Sequence, residues 1–152
     1  MTALMSNLAR TYLALGDLGR ATALYQQVLA DRVRIVGPEH PATLATRSNL
    51  AGAYRTAGRL EEACTLYADT LADSERILGP EHPATLNSRN NLAYAHESAG
   101  RLEEAITLYQ QTFTDRVQIL GPEHPATLAT RSNLAGAYRT AGRLEEACTL
   151  YA

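Results

Sequence analysis

Four histidines are the residues of this chain best suited to metal or acid–base chemistry, and three of them recur at a fixed interval. His40, His82 and His124 each sit in the string Gly-Pro-Glu-His-Pro-Ala-Thr-Leu, at steps of 42 residues (82−40 = 42; 124−82 = 42). A zinc centre needs its ligands about 2.0–2.3 Å from one point. Equivalent places in stacked repeats lie a helix-packing distance apart, about 8–10 Å. The spacing therefore predicts no shared metal centre. A His before Pro reads instead as the residue that sets the start of a helix. His96 stands where the equivalent residues are Tyr54 and Tyr138 and reads as a half-buried polar substitute.

The other reactive types fare no better. Glu61-Glu62, Glu103-Glu104 and Glu145-Glu146 are paired carboxylates, but adjacent residues on a helix point apart. They suit a first helical turn, where the positive end of the helix dipole favours acid. Ser6, Ser48 and Ser132 have no strand-turn-helix elbow and no nearby His. Cys64 and Cys148 occupy equivalent places in two repeats, too far apart for a bridge, and read as small buried hydrophobes. Glycine-rich phosphate loops and paired-cysteine motifs are absent. The expectation is no enzyme activity and no cofactor, in a reducing, cytoplasmic setting.

What positions these residues is the repeat itself. Gly37–Ala68 returns unchanged as Gly121–Ala152. Before Gly37, Asn7-Leu8-Ala9 falls over Asn49-Leu50-Ala51 and Gly16 over Gly58. A fixed period of this size predicts a solenoid, in which each repeat buries its apolar face against its neighbours. The frame runs 1–36 (partial), 37–78, 79–120 and 121–152 (truncated), as one array.

Within a repeat the signals are helical. Gly37 suits the left-handed residue that closes a helix, and Pro38 cannot continue one. Pro41 suits a first turn, so a helix A is predicted over Pro41–Thr56, with Leu44, Leu50, Ala51 and Tyr54 as its buried stripe. Ala57-Gly58-Arg59 turns the chain. A helix B follows over Leu60–Leu78, with Leu60, Ala63, Leu66, Tyr67, Leu71 and Leu78 apolar. No period-two run suggests a strand.

Leu50, Tyr54, Gly58, Ala63 and Tyr67 carry a resemblance to the tetratricopeptide repeat, whose pattern is W-x2-L-G-x2-Y, then A-x3-F, then P. Leu92, Gly100, Ala105 and Tyr109 repeat it, as do Leu134, Tyr138, Gly142 and Ala147. The combination N-L-A, E-E-A, L-Y and L-G-P-E-H-P resembles the 42-residue kinesin-light-chain type, also common in bacterial multidomain proteins. Arg47, Arg89 and Arg131 depart from the pattern's Trp, and Ala51, Ala93 and Ala135 from its Gly. No Pro ends helix B near Glu75, so helix B should be longer by eight residues, about 12 Å.

The resemblance implies an all-α, right-handed superhelical solenoid of antiparallel helix pairs, with the A helices lining a concave groove. Positions of that face are Ala45, Ser48, Gly52 and Arg55, at steps that keep to one side of a helix. Their equivalents are Asn87, Asn90, Tyr94 and Glu97, then Ala129, Ser132, Gly136 and Arg139, and in the first repeat Ala3, Ser6, Arg10 and Leu13. The family uses Asn, Arg and Lys there to grip extended peptides and their carboxylates, which makes Arg10, Ser48, Arg55, Asn87, Asn90, Tyr94, Glu97, Ser132 and Arg139 the candidate binding residues. Asn7, Asn49, Asn91 and Asn133 form a second ladder. It either holds a peptide backbone or bonds adjacent repeats to each other.

Net charge is −2 and the isoelectric point about 6.1. Such a balance leaves no footprint for nucleic acid or an anionic membrane, and no apolar run nears the roughly 20 residues of a span. All 14 basic residues are Arg, a composition that suits a high-GC bacterial source. The expected function is protein or peptide binding, as part of a larger bacterial protein. The rival is a self-associating array stacking end to end through uncapped terminal repeats, natural or engineered.

Overall fold

The computed structural model describes residues 1–152 and is entirely helical, with 82% of the chain in eight α-helices. They are α1 (Thr2–Ala14), α2 (Leu18–Val36), α3 (Pro41–Thr56), α4 (Leu60–Leu78), α5 (Pro83–Ser98), α6 (Leu102–Leu120), α7 (Pro125–Thr140) and α8 (Leu144–Thr149). Helices A and B of the second repeat, α3 and α4, have the bounds that their Pro start and Gly stop predict. Helix B does run on to Leu78 and to Leu120, past the point where a 34-residue repeat would turn. In the last, truncated repeat, regular helix covers Leu144–Thr149.

The ends of these helices follow from side-chain chemistry. His40, His82 and His124 are N-caps: each Nδ1 accepts the backbone N–H two residues on, at 3.1 Å. That satisfies one of the donors a helix start leaves open. Asp17 does the same for α2, accepting from the Arg20 N–H at 3.2 Å. Gly37 departs from the left-handed cap that its sequence suggests. Its φ is 97° and its ψ 162°, an extended backbone with positive φ that is open essentially only to glycine. The chain thus leaves the helix directly into Pro38 and the next cap.

Cα packing divides the chain into two compact units, Met1–Ile77 and Leu78–Ala152. In the first, α1 packs on α2 and α2 on α3. Its core gathers Ala9, Tyr25, Leu50, Ala53, Tyr54 and Ala63, flanked by Leu13, Leu24, Leu29 and Leu66. In the second, α5 packs on α6, α6 on α7 and α7 on α8. Ala93, Ala105, Ile106, Tyr109, Leu134, Ala137, Tyr138 and Ala147 form its core. The small residues let helices approach. Each buried Leu, Ile or Tyr then contributes about 1.5–3 kcal/mol by leaving water.

Polar clasps repeat alongside this apolar packing. Gln26 on α2 donates to the Tyr54 hydroxyl on α3 at 2.7 Å, and Gln110 on α6 to Tyr138 on α7 at 2.6 Å. Both bonds join helix B of one repeat to helix A of the next. A row of threonines (Thr43, Thr46, Thr85, Thr127 and Thr130) is almost wholly buried. The Thr46 hydroxyl, for one, donates to the carbonyl four residues back, Ala42, at 2.9 Å. Cys64 is buried as expected, but Cys148 is exposed, which corrects the reading of both as buried. Both thiols are free.

Candidate functional site

The arginines in the pattern's Trp position are structural ties. Arg47 donates to Asp73 at 2.7 Å and to the Pro38 carbonyl at 2.9 Å, binding α3 to α4. Arg89 donates to Asp115 at 2.6 Å, binding α5 to α6. The Arg89 side chain is only 9% exposed, so its charge is matched within the fold. Arg131 instead lies over the Tyr151 ring, 4.7 Å from its centroid. The acidic partners lie 26 residues on, across the hairpin, a pairing that the repeat frame alone does not reveal.

The face of the A helices differs between the units. In the first unit it presents Ala45, Ser48, Gly52 and Arg55 on α3, and Ala3, Ser6, Arg10 and Leu13 on α1. Arg10 donates to Asn7 Oδ1 at 3.2 Å, within its own helix. Arg55 is half-buried and hydrogen-bonded to the Tyr67 hydroxyl. Burial pushes the Tyr67 phenol above its ordinary value, and the nearby Arg55 opposes that. Ser48 is half-buried and Asn49 exposed.

In the second unit α5 presents Asn87, Asn90, Tyr94 and Glu97 at the same four places. Every one differs from its equivalent on α3 and α7. Tyr94 is 46% exposed. Glu97 accepts the Tyr109 hydroxyl at 3.0 Å. Asn87 and Asn90 are brought together through a residue that sequence reasoning passed over. Arg116 on α6 donates to Asn87 Oδ1 at 2.6 Å, to Thr130 Oγ1 at 2.6 Å and to the Ala126 carbonyl at 3.1 Å. Thr130 is within 3.4 Å of Asn90 Oδ1. Arg116 is buried, and burial pushes its pKa down, with no carboxylate holding it up. Arg32, Ser74 and Arg116 are equivalent in the repeat frame, so the cation is present in two repeats and absent from the one between them.

Ser132 and Arg139 also come together, on α7. With Ala135, Leu144, Ala147, Cys148 and Tyr151 they line an open, mostly apolar cavity of about 600 Å³. Asn91 and Asn133 are half-buried. No group of His, Cys, Asp and Glu is arranged to hold a metal ion. His96 Nδ1 lies 3.6 Å from a Glu104 carboxylate oxygen, a polar neighbour for a core-facing imidazole.

The tetratricopeptide repeat family model matches residues 1–63, 46–116 and 99–152, which together run the length of the chain. The chain belongs to the tetratricopeptide repeat family. Among solved structures it is similar to a Podosopora anserina protein described as a kinesin light chain with nearly identical tetratricopeptide-like repeats. The two are 35% identical with a TM-score of 0.89, over 97% of this chain and 70% of that one. BtubC (BKLC) from P. vanneervenii shares the fold at 22% identity and a TM-score of 0.86, covering 98% of this chain and 59% of that one. A Rap protein complexed with Competence and Sporulation Factor shares it at 13% identity and a TM-score of 0.82, over 99% of this chain and 40% of that one. No curated protein matches the sequence.

Tetratricopeptide repeats of this kinesin-light-chain-like type are protein-interaction scaffolds, and the fold is in general non-catalytic. No helix is long and apolar enough to cross a membrane. In tetratricopeptide terms, the Arg–Asp tie replaces the Trp that a 34-residue repeat packs at the same place.

Proposed function

We propose that this chain is one continuous array that binds an extended peptide segment of a partner protein along the face of its A helices, within a larger bacterial protein. The observation that carries the reading is the divergence of α5. Two repeats are identical over 32 residues, Gly37–Ala68 and Gly121–Ala152, while the repeat beginning at Gly79 changes all four face positions. An exposed tyrosine there offers stacking area and a hydroxyl, and Asn87 and Asn90 offer amides to a peptide backbone. Plain flanking faces of Ala, Ser and Gly leave room for main chain. Arg10, Ser48, Arg55, Ser132 and Arg139 then extend the contact, and the Asn7, Asn49, Asn91 and Asn133 ladder runs beside it. The Rap protein of the same fold is complexed with Competence and Sporulation Factor, which supports binding as a use of this fold.

The test is peptide binding by the intact chain and by its Asn90→Ala/Tyr94→Ala variant. The variant should bind about 5- to 150-fold more weakly, the equivalent of about 1–3 kcal/mol, at unchanged helicity. Unchanged affinity would place the ligand elsewhere.

Self-association is the second reading. Leu4, Leu8 and Leu15 are exposed on or beside α1, and Leu144 and Tyr151 on or beside α8. Such apolar faces suit a second copy. Mass that rises with concentration, and that falls when Leu144→Glu is introduced, would support it.

A further inference from the structure

Glu97 is a half-buried carboxylate with no cation beside it. Its Oε2 accepts the hydroxyl of the wholly buried Tyr109 at 3.0 Å. Other acids of the same unit do have cations. Asp115 has Arg89 at 2.6 Å, and Glu104 has His96 at 3.6 Å and Arg101 at 3.7 Å. His96 and Arg101 are the basic residues nearest to Glu97 in the chain, and both face Glu104. A carboxylate has two oxygens, each able to accept. Glu97 Oε1 accepts nothing and is not sealed from water.

The place of this acid on its helix sharpens the point. Glu97 lies in the last turn of α5, which ends at Ser98. That end of a helix carries the negative end of the dipole and favours a base. At the equivalent position α3 and α7 obey, with Arg55 and Arg139 in their last turns. α5 reverses the sign. The bond to Tyr109 does not require an acid, since the equivalent Tyr67 is hydrogen-bonded to Arg55. A local preference broken with no compensating partner in the fold is the mark of a functional position.

Tyr94 stands three residues before Glu97, where side chains on a helix are neighbours. It is 46% exposed. An aromatic face attracts a cation through its quadrupole, and a carboxylate attracts the same cation by charge.

We propose that Glu97 and Tyr94 form a receptor for a single cationic group of the bound peptide, either a lysine or arginine side chain or a free amino terminus. The proposal rests on the peptide-binding reading of the A-helix face and adds a sign to it. Arg139 holds the equivalent place on α7, a helix-packing distance of about 8–10 Å away. It repels a second cation on that side, so the receptor takes one charge.

The experiment uses the whole chain and three pools of hexapeptides free of Asp, Glu and His, all ending in an amide. One pool is N-acetylated without Lys or Arg. One is N-acetylated with a single Lys or Arg. One has a free amino terminus without Lys or Arg. Binding, the Glu97 carboxyl carbon resonance and the Tyr94 ring resonances are followed together. At least one cationic pool should bind about tenfold or more tightly than the neutral pool, the lower end for a hydrogen bond to a charged group. It should shift both residues and lose its advantage in high salt. Which cationic pool wins tells a side chain from a chain terminus. Glu97→Gln keeps an acceptor for Tyr109 and should melt close to the parent, while its cation-to-neutral ratio falls to about one. Glu97→Arg should bring the ratio below one. Glu123→Gln removes the same charge from an exposed loop residue and should leave the ratio as it is.

A cation-to-neutral ratio near one in the parent, with Tyr94 resonances still moving, would overturn the cation receptor and leave peptide binding standing. A ratio that survives Glu97→Gln, or that falls equally in Glu123→Gln, would overturn it too. Binding that ignores Asn90→Ala/Tyr94→Ala, or no binding by any pool, would remove both the receptor and the reading beneath it.

Discussion

The Tyr109 hydroxyl donates to Glu97 Oε2 at 3.0 Å, while the equivalent Tyr67 hydroxyl is hydrogen-bonded to Arg55. The same buried phenol thus serves an acid in one repeat and a base in another, because a hydroxyl can both donate and accept. Glu97→Arg should therefore cost little stability, within about 0.5 kcal/mol, since Arg55 shows the arrangement the new pair would take. Glu97→Ala removes the partner and should cost about 1–2 kcal/mol. Urea denaturation of the three proteins checks the order.

Acid should loosen the first unit through Asp73. Its carboxyl is held below the ordinary 3.8 by the Arg47 hydrogen bond first and by Arg76 as well. A carboxylate with a depressed folded-state pKa contributes stability above its unfolded value and loses it as pH falls through the folded one. Asp73→Asn should lower the melting temperature at neutral pH, by the equivalent of about 1–3 kcal/mol. The gap between the two proteins should close below pH 3.8, toward the folded-state value. Melting curves from pH 6 to pH 2, about two pH units to either side of a carboxylate's ordinary range, decide it.

Helix capping by histidine is tested at His124. His124→Ala removes the acceptor for the Ala126 N–H and should cost about 0.5–2 kcal/mol. His124→Asn restores a capping oxygen and should recover most of it. Thermal melts of the pair read the difference directly. Equal loss in both would show that the imidazole packs rather than caps.

Slow amide exchange should extend past Glu75 to Leu78, and to Leu120 in the next repeat, because α4 and α6 are unbroken there. Rapid exchange from Ala72 onward would mean that the last turns of helix B fray in solution. That would shift the tie between Arg76 and Glu39, 2.7 Å apart, from lasting to transient.

Local chemistry was legible in the sequence because it is decided within a few residues. Pro41, Gly37 and the Ala57-Gly58-Arg59 turn set helix bounds that the structure reproduces, and a 42-residue period implies stacking whatever the ligand. The burial of Leu44, Leu50 and Tyr54 followed from helical spacing for the same reason. Tertiary structure alone decided the pairings that cross helices. Asp73 and Asp115 are remote in the chain from Arg47 and Arg89, and only hairpin packing makes them partners. It also decided that Cys148 is exposed while Cys64, its equal in sequence, is buried. The inward turn of the Asn87 oxygen toward Arg116 belongs to the same class. A single helix can place an amide on a face, but which end points out is settled by a donor arriving from another helix.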